Sequence, residues 1–314
     1  MAKYLITGGA GFIGSHLAGA LLRRGQDVVV LDNLSTGKMG NLRDSLDRLR
    51  FVQASVTDLD SVRECCRGVE VVFHQAALAS VPRSVADPAA SNDANVTGTL
   101  NVLMAARDEK VRRVIYAASS SVYGDTEELP KHEGMTPRPQ SPYAVSKHVG
   151  ELYAAVFSRV YGLSTVSLRY FNVFGPRQDP HGQYAAVIPL FISHLLRGKA
   201  PTIYGDGEQS RDFTHIQNVV AANLAAAEAK DLKGEVINIA CGARITVNAL
   251  FRSLRDLIGG KVDPVYVPAR TGDVRHSLAD VSRATRLLGY RTVVDLARGL
   301  RETVEWYRET SETV

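Results

Sequence analysis

Lys3-Tyr4-Leu5-Ile6-Thr7-Gly8-Gly9-Ala10-Gly11-Phe12-Ile13-Gly14 runs from a short apolar, β-prone segment through a glycine turn into a helix carrying Leu17, Leu21 and Leu22. Strand, turn and helix follow in the order that a phosphate-binding loop needs, and Gly9, Gly11 and Gly14 fit the spacing G-x-G-x-x-G. Glycine at these places permits a tight turn, lets backbone N–H groups approach a pyrophosphate and brings helix close to strand. A second strand, expected over Asp27 to Leu31, ends in Asp32, about 20 residues on as a dinucleotide site requires. A carboxylate there accepts from a ribose 2′-OH and repels a 2′-phosphate, so the cofactor expected is NAD rather than NADP.

Apolar runs at Val28 to Leu31, Arg50 to Gln53, Val69 to His74, Arg113 to Ala118 and Ser164 to Arg169 alternate with helical segments near Ser61, Asn92 to Arg107 and Pro142 to Tyr161. Such alternation predicts an α/β fold, a doubly wound parallel sheet with helices on both faces. After Asn172 the pattern breaks into glycine, proline and charged residues through Asp212. It resumes with an alanine-rich helix over Val219 to Lys230 and a strand over Val236 to Ile239. Helices over Ile188 to Arg197 and Val247 to Ile258 are assigned to a smaller, discontinuous substrate lobe. The expected division is residues 1–173 plus about 213–242 for the dinucleotide-binding part and about 174–212 plus 243–314 for the lobe.

The chain has 314 residues, 45% hydrophobic and 22% charged, enough for one large core and a smaller one. No apolar run approaches the ~20 residues of a membrane span, and the N-terminus enters the first strand without a signal peptide, so no membrane partner is expected. The net charge of +4 is slight and its arginines dispersed, which argues against nucleic acid. Cys65, Cys66 and Cys241 include an adjacent pair that does not readily bridge, consistent with a reducing cytoplasm. The histidines show no metal-ligand spacing, and no metal is expected.

Ser141-Pro142-Tyr143-Ala144-Val145-Ser146-Lys147 places an N-cap serine and a first-turn proline before a helix expected to run to Tyr161-Gly162. Tyr143 and Lys147 share a face at i, i+4. The lysine ammonium near the phenol would favour its anion and make Tyr143 a base near neutral pH.

Together these motifs resemble the extended short-chain dehydrogenase/reductase family and, within it, the UDP-hexose 4-epimerases. The resemblance spans nearly the whole chain. It adds His74-Gln75-Ala76-Ala77, Asn95-Val96-Thr97-Gly98-Thr99, Ser119-Ser120-Ser121-Val122-Tyr123-Gly124, Arg169-Tyr170-Phe171-Asn172-Val173-Phe174-Gly175, Arg211-Asp212-Phe213 and Arg270-Thr271-Gly272-Asp273. It implies a Rossmann domain in which Ser119 binds the reacting hydroxyl, Tyr143 is the base and Lys147 holds the nicotinamide ribose. Cofactor contacts are implied for Gly8, Gly11, Phe12, Ile13 and Gly14, for Asp32 with Asn33, Ser35, Thr36, Gly37 and Lys38, and for Ala76, Ala77, Asn95 and Tyr170. Ser55 stands where the family commonly has an Asp near the adenine, and Val56 backbone groups are the substitute.

For the nucleotide sugar the resemblance implies Ser80, Ser120, Ser121, Asn172, Val187, Tyr204, Arg211, Arg270, Asp273 and Ser277. Paired guanidiniums suit a pyrophosphate because each offers a planar fork of donors. Ser120 and Ser121 replace the Asp-Glu pair of sugar dehydratases, so dehydration is not expected. A small Ser277 leaves room for an acetamido group at sugar C2, pointing to UDP-N-acetylglucosamine and UDP-N-acetylgalactosamine beside UDP-glucose and UDP-galactose. UDP-glucuronate 4-epimerisation or decarboxylation, with Arg83 receiving the carboxylate, is an alternative, and a non-catalytic NAD-binding sensor is another. Relatives are commonly homodimers packing the helices after Asn92 and Pro142. Small Ala144, Gly150 and Ala154 suit that contact or packing within one chain.

Overall fold

The computed structural model describes residues 3–180, 186–269 and 274–311. Its strands in chain order are β1 (Lys3–Thr7), β2 (Asp27–Leu31), β3 (Arg50–Val52), β4 (Val71–His74), β5 (Arg113–Ser119), β6 (Ser164–Tyr170), β7 (Val173–Phe174), β8 (Thr202–Tyr204), β9 (Ser210–Arg211), β10 (Thr214–His215), β11 (Glu235–Ile239), β12 (Ile245–Thr246) and β13 (Val265–Val267). The helices are α1 (Phe12–Arg23), α2 (Leu59–Cys66), α3 (Val81–Ala86), α4 (Pro88–Asn92), α5 (Gly98–Asp108), α6 (Pro142–Tyr161), α7 (Val187–Leu196), α8 (Ile216–Glu228), α9 (Val247–Ile258), α10 (Ser282–Leu288) and α11 (Leu296–Ser311). Among the described residues no helix is long and apolar enough to cross a membrane.

The main sheet is seven-stranded, in the order β11-β6-β5-β4-β1-β2-β3, and every pairing in it is parallel. Successive residues of a strand face opposite sides, and the apolar runs divide accordingly. Ile6, Val28, Val30, Phe73 and Ile115 meet α1 and α8 on one face. Leu5, Val29, Leu31, Val72 and Val114 meet α2, α5 and α6 on the other. Strand order reverses between β1 and β4, and a ligand crevice lies at the carboxyl ends of strands at such a switch point.

Helix α6 has the bounds expected from sequence. The Ser141 hydroxyl accepts from the Ala144 N–H at 3.1 Å, and Gly162, at φ 71°, ends the helix in the left-handed region that favours glycine. The single helix expected over Asn92 to Arg107 is instead α4, a π turn over Asp93–Thr97, and α5. Asn95 is the buried residue of this inserted turn, a feature frequent at functional sites.

Phe174, Phe191, Phe251, Leu254, Leu300 and Val304 form a separate core among α7, α9 and α11. Short pairs of remote segments tie its surroundings together, β10 with β7, β12 with β9 and β13 with β8. The expected division is corrected at α10. Ala284 and Tyr290 join the core beneath the main sheet, so this stretch packs with the dinucleotide-binding part rather than with the lobe.

Ala144, Gly150 and Ala154 are buried within the chain. A Cβ on Gly150 would lie 2.3 Å from the Tyr116 hydroxyl oxygen, so this face serves α6 against β5. Gly150→Ala is therefore expected to lower stability by roughly 1–3 kcal/mol through overpacking, despite the better helix propensity of alanine. A lowered thermal midpoint in calorimetry is the check, and an unchanged midpoint contradicts the close packing.

Candidate active site

At the switch point the backbone leaves space only for glycine. A Cβ on Gly8 would meet Ala76 Cα at 2.7 Å, and one on Gly14 would meet the Gly8 carbonyl oxygen at 2.3 Å. Gly11 is the N-cap of helix α1 and supplies no side-chain cap, which leaves the first N–H groups of the helix available to an anion. The half-buried Phe12 and Ile13 form its first turn. Asp32 is buried after β2, its carboxylate accepting from the N–H groups of Ala10 at 2.9 Å and Leu34 at 2.8 Å. A Cβ on Gly37 would lie 2.8 Å from both carboxylate oxygens. The glycine cradle, uncapped helix and recessed carboxylate fit the pyrophosphate and adenosine ribose of a dinucleotide.

Around that cradle Asn33 accepts from the Ser35 N–H at 3.1 Å, Thr36 is exposed, and the Lys38 ammonium lies 2.6 Å from an Asp179 oxygen. The Ser55 hydroxyl closes its own turn with Thr57 at 2.8 Å. The Val56 carbonyl accepts from Asn101 at 3.0 Å, so that backbone oxygen is already engaged. The N–H of Ala76 donates to the Thr7 hydroxyl at 3.3 Å, with the half-buried Ala77 beside it. Asn95 is buried, holding the Leu78 N–H at 2.8 Å and donating to the Ser146 hydroxyl at 3.0 Å. Its amide thus braces the loop after β4 against α6. The Tyr170 hydroxyl contacts Gln75 and Asn223, which occupies it below the crevice.

Ser119 ends β5, and its hydroxyl accepts from the Ser121 N–H at 3.2 Å. That hydroxyl also interacts with the Tyr143 phenol. Lys147 is buried one turn along α6 and donates to the Ala117 carbonyl at 2.8 Å, with its ammonium 5.0 Å from the centre of the Tyr116 ring. The expected activation of the phenol by Lys147 is corrected on this point. Burial raises the Tyr143 pKa, and the Ser119 hydroxyl only opposes it. Burial also pushes Lys147 down to about 7, which the Glu151 carboxylate offsets in part. Burial thus dominates at both groups, and the ammonium is directed to the Ala117 carbonyl of β5. The Ser121 hydroxyl is buried without a partner, and Ser120 stands half-buried beside it.

On the lobe side Asn172, at φ 36°, donates to the Asp212 carbonyl at 2.9 Å and to the Ser277 hydroxyl at 3.3 Å. Arg211 leaves β9 next to Asp212 and donates to the Arg275 carbonyl at 3.1 Å. Val187 begins α7 and Tyr204 ends β8, both half-buried. Ser80 caps α3, accepting from the Arg83 N–H at 3.3 Å. Arg270 and Asp273 lie outside the described residues. Arg83 is exposed on α3.

Sequence reasoning missed Ser84 and Asp212. The fully buried Ser84 hydroxyl accepts from the Tyr143 N–H at 3.0 Å and donates to the Val81 carbonyl at 2.7 Å, anchoring the first turn of α6 from another helix. No local pattern announces that pairing. The Asp212 carboxylate accepts from the N–H groups of Cys241, Gly242 and Ala279. Burial lifts its pKa to about 6 against the pull of those donors. Its place between Arg211 and Phe213 was the available signal.

Residues 4–240 match the NAD dependent epimerase/dehydratase family. The UDP-N-acetylglucosamine 4-epimerase from Methanobrevibacter ruminantium M1, solved with UDP-N-acetylmuramic acid, is 42% identical, with 98% of this chain and 99% of that one covered at a TM-score of 0.95. The UDP-glucose 4-epimerase of Thermotoga maritima, solved with UDP-glucose, is 42% identical over the same shares at a TM-score of 0.94. A putative UDP-glucose 4-epimerase of Methanocaldococcus jannaschii is 40% identical over 98% of this chain and 99% of its own length. With this glycine crevice and this Ser119, Tyr143 and Lys147 cluster at the ends of the strands, the chain belongs to the NAD dependent epimerase/dehydratase family.

Proposed function

We propose that this protein inverts C4 of UDP-hexoses, interconverting UDP-N-acetylglucosamine with UDP-N-acetylgalactosamine as well as UDP-glucose with UDP-galactose. The observation that carries this reading is that Ser119 at the end of β5 and Tyr143 in the first turn of α6 stand beside the buried Lys147, whose ammonium donates to the Ala117 carbonyl of β5. Bound NAD would supply a reversible hydride acceptor for C4 and so would not be consumed. Gly8 to Gly14 would hold its pyrophosphate, Asp32 its adenosine ribose and Lys147 its nicotinamide ribose. Ser119 orients the sugar 4-hydroxyl, and Tyr143 takes that proton as a 4-keto sugar forms. The ketone then turns its other face to the cofactor while Asn172, Arg211, Arg270 and Asp273 keep the UDP anchored, and Tyr143 returns the proton.

Ser277 favours acetylated sugars. It is small, nearly buried and in contact with Asn172, so its own side chain offers little bulk against an acetamido group. Arg83 stands exposed on α3, which does not favour a sugar carboxylate as the recognised group. The sensor reading predicts binding without turnover, and product analysis with a UDP-sugar and no added NAD separates the two.

The protein is proposed to act in the cytoplasm as a homodimer. Val145, Leu152, Val156 and Val160 are 47%, 54%, 37% and 62% exposed. Their spacing places them along one stripe of α6, opposite the face seated on the sheet. A contiguous apolar stripe of this kind marks a protein contact, and a second copy of the same stripe is its natural cover.

Tyr143→Phe keeps the ring and removes the hydroxyl, so turnover should fall by roughly 10²-fold or more while bound NAD survives. Near-normal epimerisation by that variant rejects the assigned base. Ser277→Tyr should suppress reaction of the acetylated pair selectively, because overfilling costs roughly 1–3 kcal/mol and the smaller sugars escape the clash. Equal slowing of both pairs in a substrate screen removes Ser277 as the gate. Leu152→Arg should convert the dimer to monomer in light scattering without unfolding it, and an unchanged mass places the interface elsewhere.

A further inference from the structure

Thr7, His74 and Thr99 are sealed from solvent at 0%, 1% and 1% exposure, and the chemistry above uses none of them. Their protons are fixed by one another. The Asn95 carbonyl can only accept, so the Thr99 hydroxyl, 2.6 Å away, donates to it. With its proton committed, Thr99 Oγ1 accepts from His74 Nε2 at 2.9 Å. The imidazole therefore carries its proton on Nε2, and Nδ1 accepts from the Thr7 hydroxyl at 2.7 Å. Thr7 Oγ1 is left as the acceptor for the Ala76 N–H at 3.3 Å. The chain reads in one direction, from Ala76 N–H through Thr7, His74 and Thr99 to the Asn95 carbonyl.

Both ends of this chain touch the cofactor crevice. At one end lies Ala76, which approaches Gly8 so closely that only glycine fits. At the other lies Asn95, whose side chain donates to Ser146, and the Ser146 hydroxyl donates to the Tyr143 carbonyl at 2.8 Å. A protonated or Nδ1–H ring would present a donor to Thr7, whose own proton would then lose its acceptor and turn away. Burial and the nearby Lys147 ammonium hold the ring neutral, down to about 3.

We propose that His74, fixed as the Nε2–H tautomer, is a positioning residue that locks the Ala76 loop against the glycine turn and so sets the affinity for NAD. The inference rests on the assignment of the Ala76 loop to the cofactor pocket. Two measurements on the holoenzyme test it. Nitrogen-15 NMR of the imidazoles should show His74 as the Nε2–H tautomer, without titration between about pH 5 and 9. His74→Phe and Thr7→Val should each release NAD about tenfold faster, near the loss of one buried hydrogen bond. The double variant should lose little more, because either change breaks the same chain. Thr7→Ser keeps the hydroxyl and should retain the cofactor like the native protein. If His74→Phe does not fold, the Thr7→Val and Thr7→Ser pair decides. An Nδ1–H tautomer, titration of the ring in that range, additive losses, or release from Thr7→Val at the native rate overturns the proposal. Native protein that binds no NAD rejects the cofactor assignment, and the role of His74 with it.

Discussion

The position of helix α6 depends on one buried ion pair. Arg169 on β6 meets Glu151 on α6 through two parallel hydrogen bonds of 2.8 and 2.7 Å, with side chains only 4% and 2% exposed. A charge so placed is tolerable only while its partner is present, and removing one member of such a pair costs about 3–5 kcal/mol. The bidentate geometry fixes rotation as well as distance. Tyr143, Lys147 and Glu151 stand at successive i, i+4 positions, so seating Glu151 aims the other two. Arg169 also lies 4.6 Å over the Tyr123 ring, whose hydroxyl donates to Asn238 on β11 at 2.6 Å. One charge pair thus ties helix α6 to two neighbouring strands, and the same carboxylate supports the Lys147 ammonium against its own burial.

Local signals in the chain carried the strands of the main sheet and the whole of α6, because these follow from continuous apolar runs buried on both faces, a capping serine and a terminating glycine. The glycine turn and Asp32 were legible for the same reason, since their roles depend on backbone demands within a few residues. What could not be read was contact between remote segments. Ser84 reaches Tyr143 from a different helix, and two-residue strands such as β9 and β12 have no period to detect. The Tyr143 and Lys147 pair shows the limit most clearly. Spacing correctly placed both on one face, but the Ala117 carbonyl that takes the ammonium belongs to β5, and only the folded chain reveals that competitor.

A strap across the cofactor crevice illustrates how remote segments complete what the glycine turn begins. The Pro176 carbonyl bonds His16 Nε2 at 2.9 Å, Arg177 donates to the Ser15 carbonyl at 3.3 Å, and Asp179 pairs with Lys38. Burial pushes His16 down to about 4, so the neutral ring donates through Nε2 to a carbonyl that can only accept. From the other side the Tyr307 hydroxyl donates to the Gln178 carbonyl. Residues of α1, of the loop after β2 and of α11 therefore hold one segment between them. An exposed pair such as Lys38 with Asp179 contributes little energy by itself, but here it fastens an end whose neighbours are already bound.

Asp212 gives the sugar side a comparable fixed point, by a different means. Its carboxylate has N–H donors from Cys241, Gly242 and Ala279 around it, while its own carbonyl accepts from Asn172. Several backbone donors converging on one carboxylate stabilise the anion much as a cation would, without the length and freedom of an arginine side chain. Replacing it with an apolar residue would leave the buried Ala279 N–H unpaired, at roughly 1–3 kcal/mol, and the half-buried Cys241 and exposed Gly242 N–H groups to solvent. The segment bearing Ser277 is held at Ala279 by this carboxylate and at its own N–H by the Ser210 carbonyl, 3.0 Å away. Its course is thus set by backbone bonds and not by the Ser277 side chain. Residue 277 can therefore change in size without redirecting the segment, at the loss of the 3.3 Å hydrogen bond from Asn172 to the Ser277 hydroxyl.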